Sequence, residues 1–225
     1  KTTSWTINWN HPKAFIENKG QFDGRNWLPD SKILFAVDNG AAQIFFTKTG
    51  LTYRFDKKEK NHKRKDGDKS QPKVFFESDL VNMQWENSNP NTNVIAYEKT
   101  TGYYSYSFYE NGETKNINYI NGFKKLIYKN LYPNIDVEYV FHPQDGIKYS
   151  LILHPGADVS QVKMKYDDNE KISLNNKGII SITTKFGDII DHPPLSFYSN
   201  NKENIVESEF VKNNNIVSFS IGNYD

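Results

Sequence analysis

Four of the chain's five histidines, His11, His142, His154 and His192, stand immediately before a proline, and histidine is the first side chain to weigh as a general base or a metal ligand. A residue that precedes proline is steered towards extended backbone, so these His-Pro pairs read as strand ends and turns. No two histidines show a local ligand spacing such as i, i+2, and neither a metal nor a cofactor is expected. Asp136 and Glu138 share one strand face with Cα atoms about 6–7 Å apart, whereas a glycosidase needs two acids facing a cleft at about 5–5.5 Å or 6.5–9.5 Å. The plainer expectation is that both line the solvent face of a hairpin and pair with Lys148 across it. G-x-S-x-G, Walker and Rossmann motifs are all missing, and so is cysteine, which excludes disulfides, thiolate catalysis and zinc–sulfur sites. For calcium, Asp66-Gly67-Asp68 sits among lysines, and Asp167-Asp168-Asn169-Glu170 reads as a hairpin turn rather than an EF-hand loop. No catalytic residue is expected.

Exposed aromatics are the better functional lead. "GYYSYSFYENG" puts Tyr103 and Tyr109 on one face with Ser105 and Ser107 between them, and Tyr104, Tyr106 and Phe108 on the other. The Tyr104 face is expected in the core. Tyr103 and Tyr109 then form either a second interface or a flat ligand platform, the alternatives being buried packing and sugar stacking. Trp5, Trp9 and Trp27 offer the same choice.

The elements that must position these residues are strands. Aromatic residues make up 15% of the chain and offset a hydrophobic fraction of only 36%, so the core is expected to be aromatic-rich. Period-two alternation dominates. Ile33, Phe35 and Val37, a turn at Asp38-Asn39-Gly40, Ile44 and Phe46, a turn at Lys48-Thr49-Gly50, then Leu51, Tyr53 and Phe55 read as a three-stranded meander. Ile135, Val137, Tyr139 and Phe141, a turn over Pro143 to Gly146, and Ile147, Tyr149, Leu151 and Leu153 form the strongest hairpin pattern. Later strands follow Asn/Gly turns at a spacing of about ten residues, as in an all-β sandwich.

Between Phe55 and Val74 no apolar residue occurs, and residues 56–73 read as a solvated, mobile loop rather than a polyanion site. Lys plus Arg (28) nearly balances Asp plus Glu (27), which speaks against a nucleic-acid partner. No apolar run reaches the length of a membrane span, and "KTTSW" fits a mature end left after leader cleavage.

"AFIENKGQ", "YPNIDVEYVFHPQDGIKYSLILHPGADVSQVKMKY", "KGIISITTKFGDIIDHPPLSFY" and the closing "FSIGNYD" together resemble, in order from about Pro12 to Asp225, the amino-terminal domain of large secreted or surface proteins of Bacteroidetes and related bacteria. In that family the domain precedes SBBP β-propeller-type repeats, PKD or other immunoglobulin-like modules, and a carboxy-terminal sorting domain for type nine secretion. The "PGAD" element is intact at Pro155 to Asp158, and the usual "YPGID" is "YPNID", with Asn134, which tolerates a left-handed turn, in place of glycine. The resemblance implies an extracellular domain, cut from a longer protein, whose partners are the other domains of that chain and a cell-surface glycan or protein. It carries no catalytic residue to transfer.

The expectation is an all-β fold of two packed β-sandwich-like lobes built from antiparallel meanders and hairpins, residues 1–97 and 98–225. Its function would be that of a structural or adhesion module, the alternative being a carbohydrate-binding module that uses Tyr103 and Tyr109. Glu17, Asn18, Gly20, Asp136, Gly156 and Asp158 are expected to be structural. Phe15 or Ile16 enters the core, Gly20 supplies a positive φ, and Glu17 and Asn18 bind backbone groups or a cation such as Arg54.

Overall fold

The alternation written in the sequence becomes antiparallel pairing along nearly the whole chain. The computed structural model describes residues 13–23, 32–39, 42–60, 74–110, 112–143 and 146–224. Trp5, Trp9, Trp27, His11, Gly40, the Asp66-Gly67-Asp68 triplet, residues 61–73 and the two central residues of the Pro143 to Gly146 turn lie outside them.

Strands β1 (Phe15–Glu17), β2 (Phe35–Asn39), β3 (Ala42–Phe46), β4 (Gly50–Lys60) and β5 (Val74–Trp85) are followed by β6 (Asn93–Lys99), β7 (Tyr104–Glu110) and β8 (Glu113–Ile120). Next come β9 (Gly122–Tyr132), β10 (Ile135–Phe141), β11 (Ile147–Leu153), a turn of 3₁₀ helix at Val159–Gln161, and β12 (Lys163–Tyr166). The chain ends with β13 (Lys171–Leu174), β14 (Ile180–Thr184), β15 (Gly187–Asp191), β16 (Ser196–Tyr198), β17 (Asn201–Val206), β18 (Ser208–Asn213) and β19 (Ile216–Ile221).

Among the described residues, twelve strands make one sheet in the order β11-β10-β9-β1-β2-β3-β4-β5-β12-β19-β18, with β6 on β9. It curls into a half-barrel, and three smaller sheets, β13-β14-β15, β16-β17 and β7-β8, complete the architecture. The packed layers are therefore the two wings of one sheet. Their rings meet in pairs across the interior: Phe15 with Phe141 at 4.5 Å, Phe46 with Tyr139 at 5.3 Å and Trp85 with Tyr149 at 6.2 Å. Each fully buried ring contributes up to about 3 kcal/mol of transfer free energy.

Meander and hairpin pair as the pattern predicts: Phe35 opposes Phe46, Ile44 opposes Tyr53, Val137 opposes Leu151 and Tyr139 opposes Tyr149. Position 97 lies within β6, and strands from both sides of it share the sheet through the β1–β9, β6–β9 and β5–β12 pairs. Strand β4 runs on through Asp56 to Lys60, pairing with residues 78 to 74, so the first five residues of the expected loop are strand.

The short strand β1 joins the wings, lying between β9 and β2. Both of its apolar side chains are buried, on opposite faces. Phe15 enters the core between the wings, and Ile16 enters a second cluster with Ala14, Phe22, Ile33, Ala36, Phe45 and Ile120. Tyr104, Tyr106 and Ile117 of the β7–β8 hairpin pack on this second cluster. Ile33 thus packs away from Phe35 and Val37, because it precedes β2 and escapes its alternation.

Candidate functional site

Asn18 organises the turn that follows β1. Its side-chain oxygen accepts from the backbone N–H of Gly20 (2.9 Å) and Phe22 (3.2 Å), and its amide donates to Asp23 Oδ1 (2.7 Å) and the Ile33 carbonyl (3.0 Å). Gly20 sits at φ +109°, a region that glycine enters without steric cost. Arg54 does not serve this turn: it pairs with Asp56 at 2.9 Å, and Glu17 lies 3.5 Å from Lys19.

Asp136 departs from expectation. It is 2% exposed, and it holds the β9–β10 turn from within. One oxygen accepts from Asn130 N–H at 2.7 Å; the other accepts from Lys129 Nζ at 2.7 Å and lies 3.1 Å from His154 Nε2. Burial works against its charge, but the bonds from Lys129, Asn130 and His154 prevail and hold the carboxyl below its usual range. Glu138 pairs with Lys125 at 3.0 Å. Lys148 lies opposite Val140 in register, with Ser150 opposite Glu138, so the expected pairing of the two acids with Lys148 does not form.

The "YPNID" and "HPGAD" segments meet here. Asn134 adopts φ +59° and Gly156 φ +79°, and the Asn134 carbonyl accepts from His154 N–H at 2.9 Å. Asp158 caps the 3₁₀ turn, accepting from Ser160 N–H (3.0 Å) and Ser160 Oγ (2.6 Å), bonds that lower its pKa. Asp136, Gly156 and Asp158 each hold or shape a turn at this junction.

A second acid, half-buried, carries no signal in the alternation. Asp191, at the end of β15, accepts from the Tyr149 hydroxyl at 2.7 Å. Burial pushes its carboxyl up to about 6, and the Tyr149 bond and nearby His192 offset only part of that rise. Tyr53 and Tyr166 also face this carboxyl, and burial is the main force raising the hydroxyls of Tyr53, Tyr149 and Tyr166.

The exposed site lies where β6, β7, β8 and β9 converge. Tyr103 is 61% exposed, and its ring meets that of Tyr119, 73% exposed, at 5.6 Å and 83°. Lys99 Nζ lies 5.3 Å from the Tyr103 ring centroid, within cation–π range. Two backbone irregularities build this corner. Ser105 faces both Asn118 and Tyr119 in a bulge, because Tyr104 pairs with Ile120 but Tyr106 with Ile117. Tyr119 takes φ +59° there, and Glu98, next to Lys99, takes φ +58°. The other non-glycine residues of positive φ among those described are asparagines, which tolerate it; a tyrosine and a glutamate pay about 1–3 kcal/mol each.

Tyr109 is 75% exposed but pairs with Thr114 near the hairpin tip, six residues from Tyr103 and so about 20 Å along the strand. The structure does not bring Tyr103 and Tyr109 together; Tyr103 meets Tyr119 instead. Tyr119 was legible only through the Asn121-Gly122 dipeptide after it, which marks an irregular strand end but not which ring is turned outward. Among the described residues no three His, Cys, Asp or Glu side chains gather as a metal would need, and no helix is long and apolar enough to cross a membrane.

No curated protein and no solved structure matches the chain. A family model does, over residues 15–225, from the first residue of β1 to the last of the sequence. The chain therefore belongs to the family described as a domain of unknown function, DUF7948.

Proposed function

We propose that this domain is a non-catalytic adhesion module of an exported, cell-surface multidomain protein, and that it makes contact through the Tyr103–Tyr119–Lys99 corner. The observation that carries this reading is the corner itself: two exposed tyrosines stand with a lysine on one surface, beside left-handed backbone at Tyr119 and Glu98. Tyrosines of this kind supply large contact area at low entropic cost, and they are enriched where protein surfaces meet ligands. The non-catalytic part rests on a sequence without cysteine or a nucleophile motif; the exported, multidomain part rests on the resemblance carried by the "AFIENKGQ", "YPNID" and "PGAD" elements.

A carbohydrate-binding module is the second reading, favoured by the exposure of both ring systems. The perpendicular rings do not make the flat platform that a crystalline polysaccharide face requires. Fluorescently labelled domain applied to cells of the organism that carries the gene tests the adhesion reading by flow cytometry. Wild-type labelling is expected, with loss of most of it in Tyr103→Ala/Tyr119→Gly; equal labelling by the variant overturns the assignment of the contact surface.

A further inference from the structure

We propose that the Tyr103–Tyr119–Lys99 corner binds a carboxylated glycan, a polysaccharide whose sugars carry uronate groups. The inference rests on the adhesion reading of the same surface and names the chemistry of its ligand.

The charge at the corner is incomplete. Lys99 Nζ rests over the Tyr103 ring, yet among the described residues no carboxylate lies within ion-pair distance of it. The acid beside it, Glu98, is turned to Lys125, 4.0 Å away. The left-handed turn at Glu98 separates the two side chains, so the nearest acid does not neutralise Lys99. A cation held on an aromatic face without an anion is a half-built site for a carboxylate.

The rest of the corner has the chemistry of a sugar subsite. A pyranose presents an apolar C–H face to an aromatic ring and polar groups around its edge. The Tyr119 ring and Lys99 Nζ lie 5.6 and 5.3 Å from the centre of the Tyr103 ring, distances that a short oligosaccharide covers. One sugar stacks on a tyrosine while the carboxylate on the sugar's edge reaches Lys99. The rings stand at 83° to each other, so they cradle a bent chain and reject a flat sheet of chains. An acidic peptide could satisfy Lys99, but it brings no rigid C–H face to the two rings, and a neutral glycan leaves the lysine unpaired.

Holding the rings this way costs backbone strain at Tyr119 and Glu98. Tyr104 and Tyr106 pack on the second core cluster, and they anchor the hairpin without help from Tyr119. The β8 bulge lets Ile117 and Ile120, three residues apart, both pack on that cluster, and at the same point it leaves Tyr119 turned outward, 73% exposed.

Affinity electrophoresis of the intact domain in gels containing polygalacturonate, its methyl ester or poly-L-glutamate tests the proposal. Retardation by polygalacturonate is expected, with the methyl ester and poly-L-glutamate each at least about tenfold weaker, the equivalent of 1.4 kcal/mol. Lys99→Met and Tyr119→Gly should each weaken binding by about tenfold. Tyr119→Gly suits the test because glycine relaxes the φ +59° backbone, so loss of binding cannot be ascribed to misfolding; its thermal midpoint should match or exceed that of the wild type. Equal retardation by the ester, equal or tighter retention by poly-L-glutamate, no retardation at all, or binding indifferent to both substitutions overturns the proposal. If polygalacturonate is not bound while cell labelling still depends on Tyr103 and Tyr119, the ligand class falls and the adhesion reading stands.

Discussion

Two aspartates, Asp136 buried and Asp191 half-buried, set opposite pH responses. The Asp191 carboxyl sits at about 6 in the folded chain, above its unfolded value of about 3.9, so the folded state holds that proton more tightly. Stability from this group is fully present below about pH 4, declines as pH rises to about 6, and stays low above it. Asp136 is shifted the other way: its contribution is present above the unfolded value and is lost as pH falls through its folded one. Replacing Asp191 with asparagine, which can still accept from Tyr149, should raise stability at pH 7 by about 2 kcal/mol and abolish the decline between pH 4 and 6. The acid-side loss that belongs to Asp136 should remain. Urea midpoints of both proteins across pH 3–8 check this, and parallel curves would refute it.

Among the elements, the β10–β11 hairpin and the strand pairing of the meander were legible, because alternation fixes register wherever one face is buried; Ile33 faces the other cluster, and Asp38 and Asn39, expected in a turn, end β2. What alternation could not show is where it breaks. Glu98 and Tyr119 leave the pattern through left-handed residues whose types give no warning, and so the exposed corner was only half visible, Tyr103 being singled out and Tyr119 not. Asp136 misled for a related reason: it alternates as a solvent-facing residue should, but a register shift between Ile135 and Val137 draws it under the turn to satisfy Asn130. Glycine marks another element-level constraint. A Cβ on Gly50 would stand 2.2 Å from the Met83 carbonyl oxygen, and that oxygen belongs to backbone that cannot yield without parting β4 from β5. Gly50→Ala should cost about 1–3 kcal/mol, read as a lowered urea midpoint at unchanged slope; an unchanged midpoint would show that the two strands separate freely there.

On the scale of the whole molecule, the chain is interleaved. Strands β2 to β5 share their wing with β12, β19 and β18, while β6 sits on β9 in the other wing. Cutting between residues 97 and 98 splits β6, parts most of it from β9, and removes one of the two partners of β1 and of β5. Neither fragment should fold alone, and mixing them should restore structure; amide dispersion in the NMR spectrum of each piece and of the mixture decides it. A dispersed spectrum from either fragment by itself would show that a half of the chain is self-sufficient.

The place of β1 gives the fold a mechanical character. Only two residue pairs tie it to β2 and two to β9, whereas β19 is held by six pairs to β18 and three to β12. Tension applied at the two ends of the domain therefore meets a fuse at the amino end. Once those three residues are drawn out, no other strand among the described residues bridges β9 to β2 in the sheet, and a small local rupture opens the half-barrel along its middle.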